Sequence, residues 1–98
     1  MSIIVVGLNH KSAPIEVREK LAFNPNSINN ALSLFSQKYQ DQNAEIVILS
    51  TCNRVELYIS SQDGAIKVED VFSFLADFHK IEPNTFSPYM YHYNDDRA

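Results

Sequence analysis

The chain has one thiol, Cys52, set in a polar string, Ser50-Thr51-Cys52-Asn53-Arg54. An unpaired cysteine is commonly a small buried apolar group. Its neighbours here also suit the other use, because a nearby guanidinium favours the thiolate, which is the nucleophilic form. On residue types alone both readings stand. If the chain is extended there, Cys52 and Arg54 project to the same side. Arg54 could then grip a substrate carboxylate with its two-pronged fork, and its plainer use is a surface pair with Glu56. His10 has the proton chemistry of a general acid or base, whereas its neighbours Asn9, Lys11 and Ser12 have the chemistry of a closing loop. His79 reads as a helix-end residue, where a cation favours the dipole, and His92 as a residue alternating out of a strand. Three histidines and one cysteine, widely scattered, lack metal-ligand spacing, and no metal is expected.

The elements that must position these groups are legible in the apolar pattern. Residues 3–8 are short, largely β-branched and apolar, and read as a buried strand ending at Asn9-His10. A short helix is expected over 14–22, with Pro14 in its first turn and Pro14, Val17, Arg18 and Leu21 on one face. Asn24-Pro25 starts a second helix carrying Ile28, Ala31, Leu32, Phe35 and Tyr39 to about residue 40. Residues 45–50 and 55–59 form two strands, and the four residues between them make an antiparallel hairpin. After Asp63-Gly64, the stripe Val68, Val71, Phe72, Leu75 and Phe78 is a third helix, and residues 89–93 a last, aromatic strand.

That order predicts an α+β, ferredoxin-like (split β-α-β) fold: a four-stranded antiparallel sheet with an extra short helix. The expected sheet order is fourth, first, third, second strand. Right-handed crossovers then bring Asn9-His10 beside the turn 51–54. Ile46, Val47, Ile48 and Leu49 are apolar on both faces of their strand, so something must cover the second face: either the helix at 14–22, which is the preferred cover, or a segment following Ala98, with the tyrosines of the last strand contributing to the same patch. Tyr89, Tyr91 and Tyr93 would share one face of the last strand. Aromatics on such a sheet can stack single-stranded bases, which leaves a small RNA-binding or regulatory module as the alternative to an enzyme. The last four residues, 95–98, read as a domain edge.

Composition narrows the field. The chain's 98 residues, 45% of them hydrophobic, suffice for one core without disulfides. Eight Lys and Arg against twelve Asp and Glu give −4, which excludes a broad phosphate- or membrane-binding surface and leaves room for a local basic spot. With only Gly7 and Gly64, neither a Rossmann fingerprint nor a P-loop can be written. No apolar run approaches the roughly 20 residues that cross a bilayer. There is no charged signal start, and a reducing, cytoplasmic setting is the default.

The string Gly7-Leu8-Asn9-His10-Lys11-Ser12-Ala13-Pro14, then Glu16 and Arg18-Glu19, followed by residues 49–58 from Leu49 through Thr51-Cys52-Asn53-Arg54 to Tyr58, resembles the glutamyl-tRNA reductase family. The resemblance spans the whole chain and implies that residues 1–98 are that family's single N-terminal catalytic domain. It implies that Cys52 attacks the ester joining glutamate to tRNA, giving a thioester that NADPH reduces to glutamate-1-semialdehyde for tetrapyrrole (porphyrin, haem) synthesis. Thr51 and Arg54 match positions that hold the glutamyl group, Asn53 lies within the motif, and Asn9 and His10 are supporting candidates. The family continues past the position of Ala98 with a helix bearing an active-site histidine, then NADPH-binding and dimerisation domains. No cofactor site is therefore expected on these residues. His92 does not occupy the position of that histidine, and its role is not transferred. Glutamyl-tRNA as substrate, a homodimer through a further domain, and glutamate-1-semialdehyde aminomutase as a candidate partner complete the implied set.

Overall fold

The computed structural model describes residues 2–95, the side chain of Asp63 excepted, so of the expected domain edge at 95–98 only residue 95, the last of a strand, lies within the described residues. The four strands are β1 (Ser2–Asn9), β2 (Glu45–Ser50), β3 (Arg54–Ser61) and β4 (Tyr91–Asp95). They form one sheet in the order β2-β3-β1-β4, every neighbour antiparallel. This is the expected order, and it pairs Asn9 directly with Arg54. Alternation follows from the pleat: Ile4, Val6 and Leu8 of β1 and Val55, Leu57 and Ile59 of β3 are buried on one face.

That face is covered by helices α1 (Ile15–Leu21), α2 (Pro25–Lys38) and α3 (Val68–His79) and the short α4 (Pro83–Phe86). Asn24 caps α2 through a reciprocal capping box with Ser27, and Pro25 occupies its first turn. Val17, Leu21, Ala31, Phe35, Val71, Phe74, Leu75 and Phe86 join the strand residues in one core.

The structure corrects two expectations. First, α1 packs against α3 and β3 on the covered side, with Val17 and Leu21 in the core and Pro14 exposed. Its apolar stripe is satisfied there, so it does not cover the second face of β2, and Val47 stays 62% exposed. Second, β4 begins at Tyr91 rather than Tyr89. Pro83 and Pro88 each open a short helical turn, and Tyr89 sits in the second of these, at residues 87–89. Only Tyr91 and Tyr93 then share the open face. Helix α2 ends at Lys38, close to the expected end near residue 40, and a single turn of 3-10 helix with left-handed Asn43 leads into β2. His79 is the last residue of α3, at a helix end as expected. Its ring packs on Phe23 and Phe78 at 4.7 and 5.2 Å between centroids, and burial pushes its pKa below the ordinary value.

Candidate functional site

The turn between β2 and β3 is closed by its own residues. The amide of Thr51 donates to the carbonyl of Arg54 at 2.8 Å, and Thr51 Oγ1 accepts the amides of Asn53 and Arg54 at 3.2 and 3.1 Å. A threonine hydroxyl bonding ahead to the backbone makes this an ST-turn. The chain bends at Cys52 and Asn53 instead of staying extended, and the thiol is exposed at the tip. Thr51 is thus seen as the builder of the turn.

Two ties fasten the turn to the segment around α1. Arg18 donates to the carbonyl of Ala13 at 2.7 Å and, through Nε, to the carbonyl of Cys52 at 3.4 Å. The amide of Phe23 donates to Ser50 Oγ at 2.9 Å. On the other flank, Asn9 Oδ1 accepts the amides of Lys11 and Ser12 at 2.9 and 3.0 Å, closing the loop after β1. Register brings the two loops together, and a shallow pocket of about 350 Å³ is lined by Asn9, His10, Lys11, Asn53 and Arg54. Five sequence candidates, Asn9, His10, Thr51, Asn53 and Arg54, therefore gather with Cys52 at one end of the sheet. Four of them line the pocket, while Thr51 and Cys52 do not. His79 and His92 lie elsewhere. Among the described residues no cluster of His, Cys, Asp and Glu could hold a metal ion.

Beside this pocket, on the open face, sits Glu56, only 7% exposed. Tyr58 donates to its Oε1 and Tyr91 to its Oε2, both at 2.5 Å. Arg54 Nη1 stands 3.7 Å from Oε1. Burial opposes the charge, but the two phenols and Arg54 together outweigh it and hold the carboxyl below its usual range. Burial, then the bond to Glu56 and its charge, push the Tyr91 hydroxyl far up, so it remains a donor. The cluster requires Gly7, because a Cβ there would lie 2.6 Å from Glu56 Cγ and 2.7 Å from the Val55 carbonyl. A glycine inside a strand flags such close approach, and that signal was available in the sequence. Nothing local announced Arg18, whose partner Cys52 lies far along the chain.

A helix-covered antiparallel sheet that presents an exposed cysteine turn and an arginine-lined pocket at one end defines an α+β domain of the thiol-bearing kind. The model of the Glutamyl-tRNAGlu reductase N-terminal domain matches residues 6–98, and the chain belongs to that family. It is 46% identical over its whole length to glutamyl-tRNA reductase of Pelobacter propionicus, of which it spans 22%. It is also 46% identical to that of Thermodesulfovibrio yellowstonii, of which it spans 24%. Among solved structures, glutamyl-tRNA reductase from Methanopyrus kandleri superposes with a TM-score of 0.55 at 30% identity, over 74% of this chain and 16% of that one. Among the described residues, no helix is long and apolar enough to cross a membrane.

Proposed function

We propose that this chain is the catalytic domain of an NADPH-dependent glutamyl-tRNA reductase, which makes glutamate-1-semialdehyde in the first step of tetrapyrrole synthesis. The step that its own residues carry is transfer of the glutamyl group from tRNA to Cys52. One observation supports this most: the pairing of Asn9 with Arg54, which gathers an exposed thiol, a guanidinium and a polar pocket at one end of the sheet. In the step, Cys52 Sγ bonds to the ester carbonyl carbon as that carbon's bond to the ribose oxygen breaks. The thiol proton ends on the ribose oxygen, so thiol and ester give thioester and free tRNA. Arg54 receives the glutamyl carboxylate. Thr51 holds the turn, and Asn53, Asn9 and His10 line the approach.

A dinucleotide does not fit the described residues. Gly7 is packed inside β1 against Glu56, and Gly64 lies in a 3-10 turn, so neither opens a helix onto a pyrophosphate. No step through NADPH is assigned to them. The same reading takes glutamyl-tRNA as substrate in the cytoplasm, and a homodimer and glutamate-1-semialdehyde aminomutase as partners.

The test is intact-mass analysis after incubation with glutamyl-tRNA. A glutamyl adduct should appear on Cys52 and be missing from Cys52→Ser. Bound glutamyl-tRNA with no adduct, or an adduct on another residue, would sink the assignment.

A further inference from the structure

Near the pocket, Glu56, read from sequence as half of a surface pair, is instead a buried carboxylate on the face of the sheet that helices do not cover. A buried charge is retained only when its lone pairs are satisfied. Here each oxygen receives one phenol, Tyr58 from β3 itself and Tyr91 from β4. Two strands thus fix one carboxylate, and Gly7 of β1 leaves the space for it.

The contact with Arg54 is of a different kind. At 3.7 Å from Nη1 to Oε1 it lies beyond hydrogen-bond length, and 53% of the Arg54 side chain is exposed. A carboxylate free to turn would close on a neighbouring guanidinium in the two-pronged geometry and use up its fork. With both oxygens engaged by phenols, Glu56 attracts one edge of Arg54 without closing on it. The other edge is left for a second carboxylate.

We propose that Glu56, clamped by Tyr58 and Tyr91, is the positioning residue for Arg54 and thereby sets the preference of the pocket for an acidic acyl group. This rests on the reading that Arg54 receives the glutamyl carboxylate. The carboxyl is held below its usual range, so the anchor stays charged throughout the neutral range.

The experiment compares acylation of Cys52 by glutamyl-tRNA and glutaminyl-tRNA, read by intact mass, with alkylation by neutral iodoacetamide as a control on the thiol. Glu56→Gln should lower the glutamyl-to-glutaminyl ratio about tenfold or more, through the glutamyl-tRNA concentration needed for half-maximal acylation, with iodoacetamide reactivity within about twofold. Tyr58→Phe, which removes one clamp without touching Arg54, should lower the ratio about threefold, and it carries the test if Glu56→Gln does not fold. An unchanged ratio in a folded variant would overturn the proposal while Arg54→Lys still loses discrimination. A raised ratio would also overturn it, since the carboxylate would then be competing for Arg54. If Arg54→Lys itself keeps full discrimination, the parent reading of Arg54 falls, and the anchor with it.

Discussion

On the covered face of the sheet, β1 and β3 set Ile4, Val6, Leu8, Val55, Leu57 and Ile59 against helices, and each is at most 4% exposed. On the open face the same strands carry Ile3, Val5, Gly7, Glu56 and Tyr58, with Val47 of β2 and Tyr93 of β4 reaching 62% and 65% exposure. The first face is built by burial of apolar area and tolerates almost no loss of volume. The second is organised around one satisfied charge, and most of its side chains can change without loss of fold. The groups assigned to chemistry lie at the end where the two faces meet, so the covered face supplies rigidity and the open face supplies electrostatics.

The contrast can be broken most forcefully from the covered side. Leu57→Ala, at a fully buried position, should cost about 3–5 kcal/mol in urea unfolding, whereas Val47→Ala across the strand pair should cost about 0.5 kcal/mol or less. Equal effects would mean that the open face is sealed in solution. Next in size is Gly7→Ala. The Val55 carbonyl facing the new methyl is backbone and cannot swing aside, so a loss of about 1–3 kcal/mol is expected, together with release of Glu56. An unfolding midpoint equal to that of the parent would show that the sheet yields there.

A smaller effect depends on pH. His79 Nε2 is buried with no hydrogen-bond partner among the described residues, and burial lowers its pKa from 6.5. The unfolded chain therefore takes up the proton first. Stability is whole above pH 6.5 and falls as the pH drops through that value towards the lowered one. His79→Leu should flatten the fall between about pH 7 and pH 5, measured as the shift in urea midpoint. An equal slope in both proteins would place the titrating group elsewhere. Smallest is Lys80→Gly. Lys80 ends α3 at φ 58°, in the left-handed region, and glycine there should add about 0.5–1 kcal/mol to unfolding stability.

The strand order and the meeting of Asn9 with Arg54 were legible in the sequence, because β-branched runs, two capping signals and the handedness of crossovers leave few alternatives. The uncovered face was not. The run 46–49 is apolar at every position, and a continuous run does not say which side finds a partner. Tyr89 fits the alternation of β4, but Pro88 beside it turns the chain, and proline chemistry overrode the pattern. For the candidate site, residue types marked Cys52 and Arg54, and the choice of Glu56 as partner of Arg54 was within reach of a two-residue spacing on one strand. The phenol from Tyr91 and the reach of Arg18 to Cys52 came only from tertiary packing, which brings together residues that no local window contains.

The ties from Arg18 and Phe23 to the cysteine turn have a consequence for how the protein fails. α1 is seven residues long, well short of the roughly 12–15 that hold a helix on their own, so it depends on Val17 and Leu21 staying docked. Its opening is a local event that leaves most of the sheet intact. Such an opening takes away the bond to the Cys52 carbonyl and unsettles the thiol that the turn presents. Amides of 15–21 and of 51–54 should then exchange with solvent deuterium on a common, faster clock than those of 55–59. On warming, reactivity at Cys52 would decay before the bulk of the secondary structure melts.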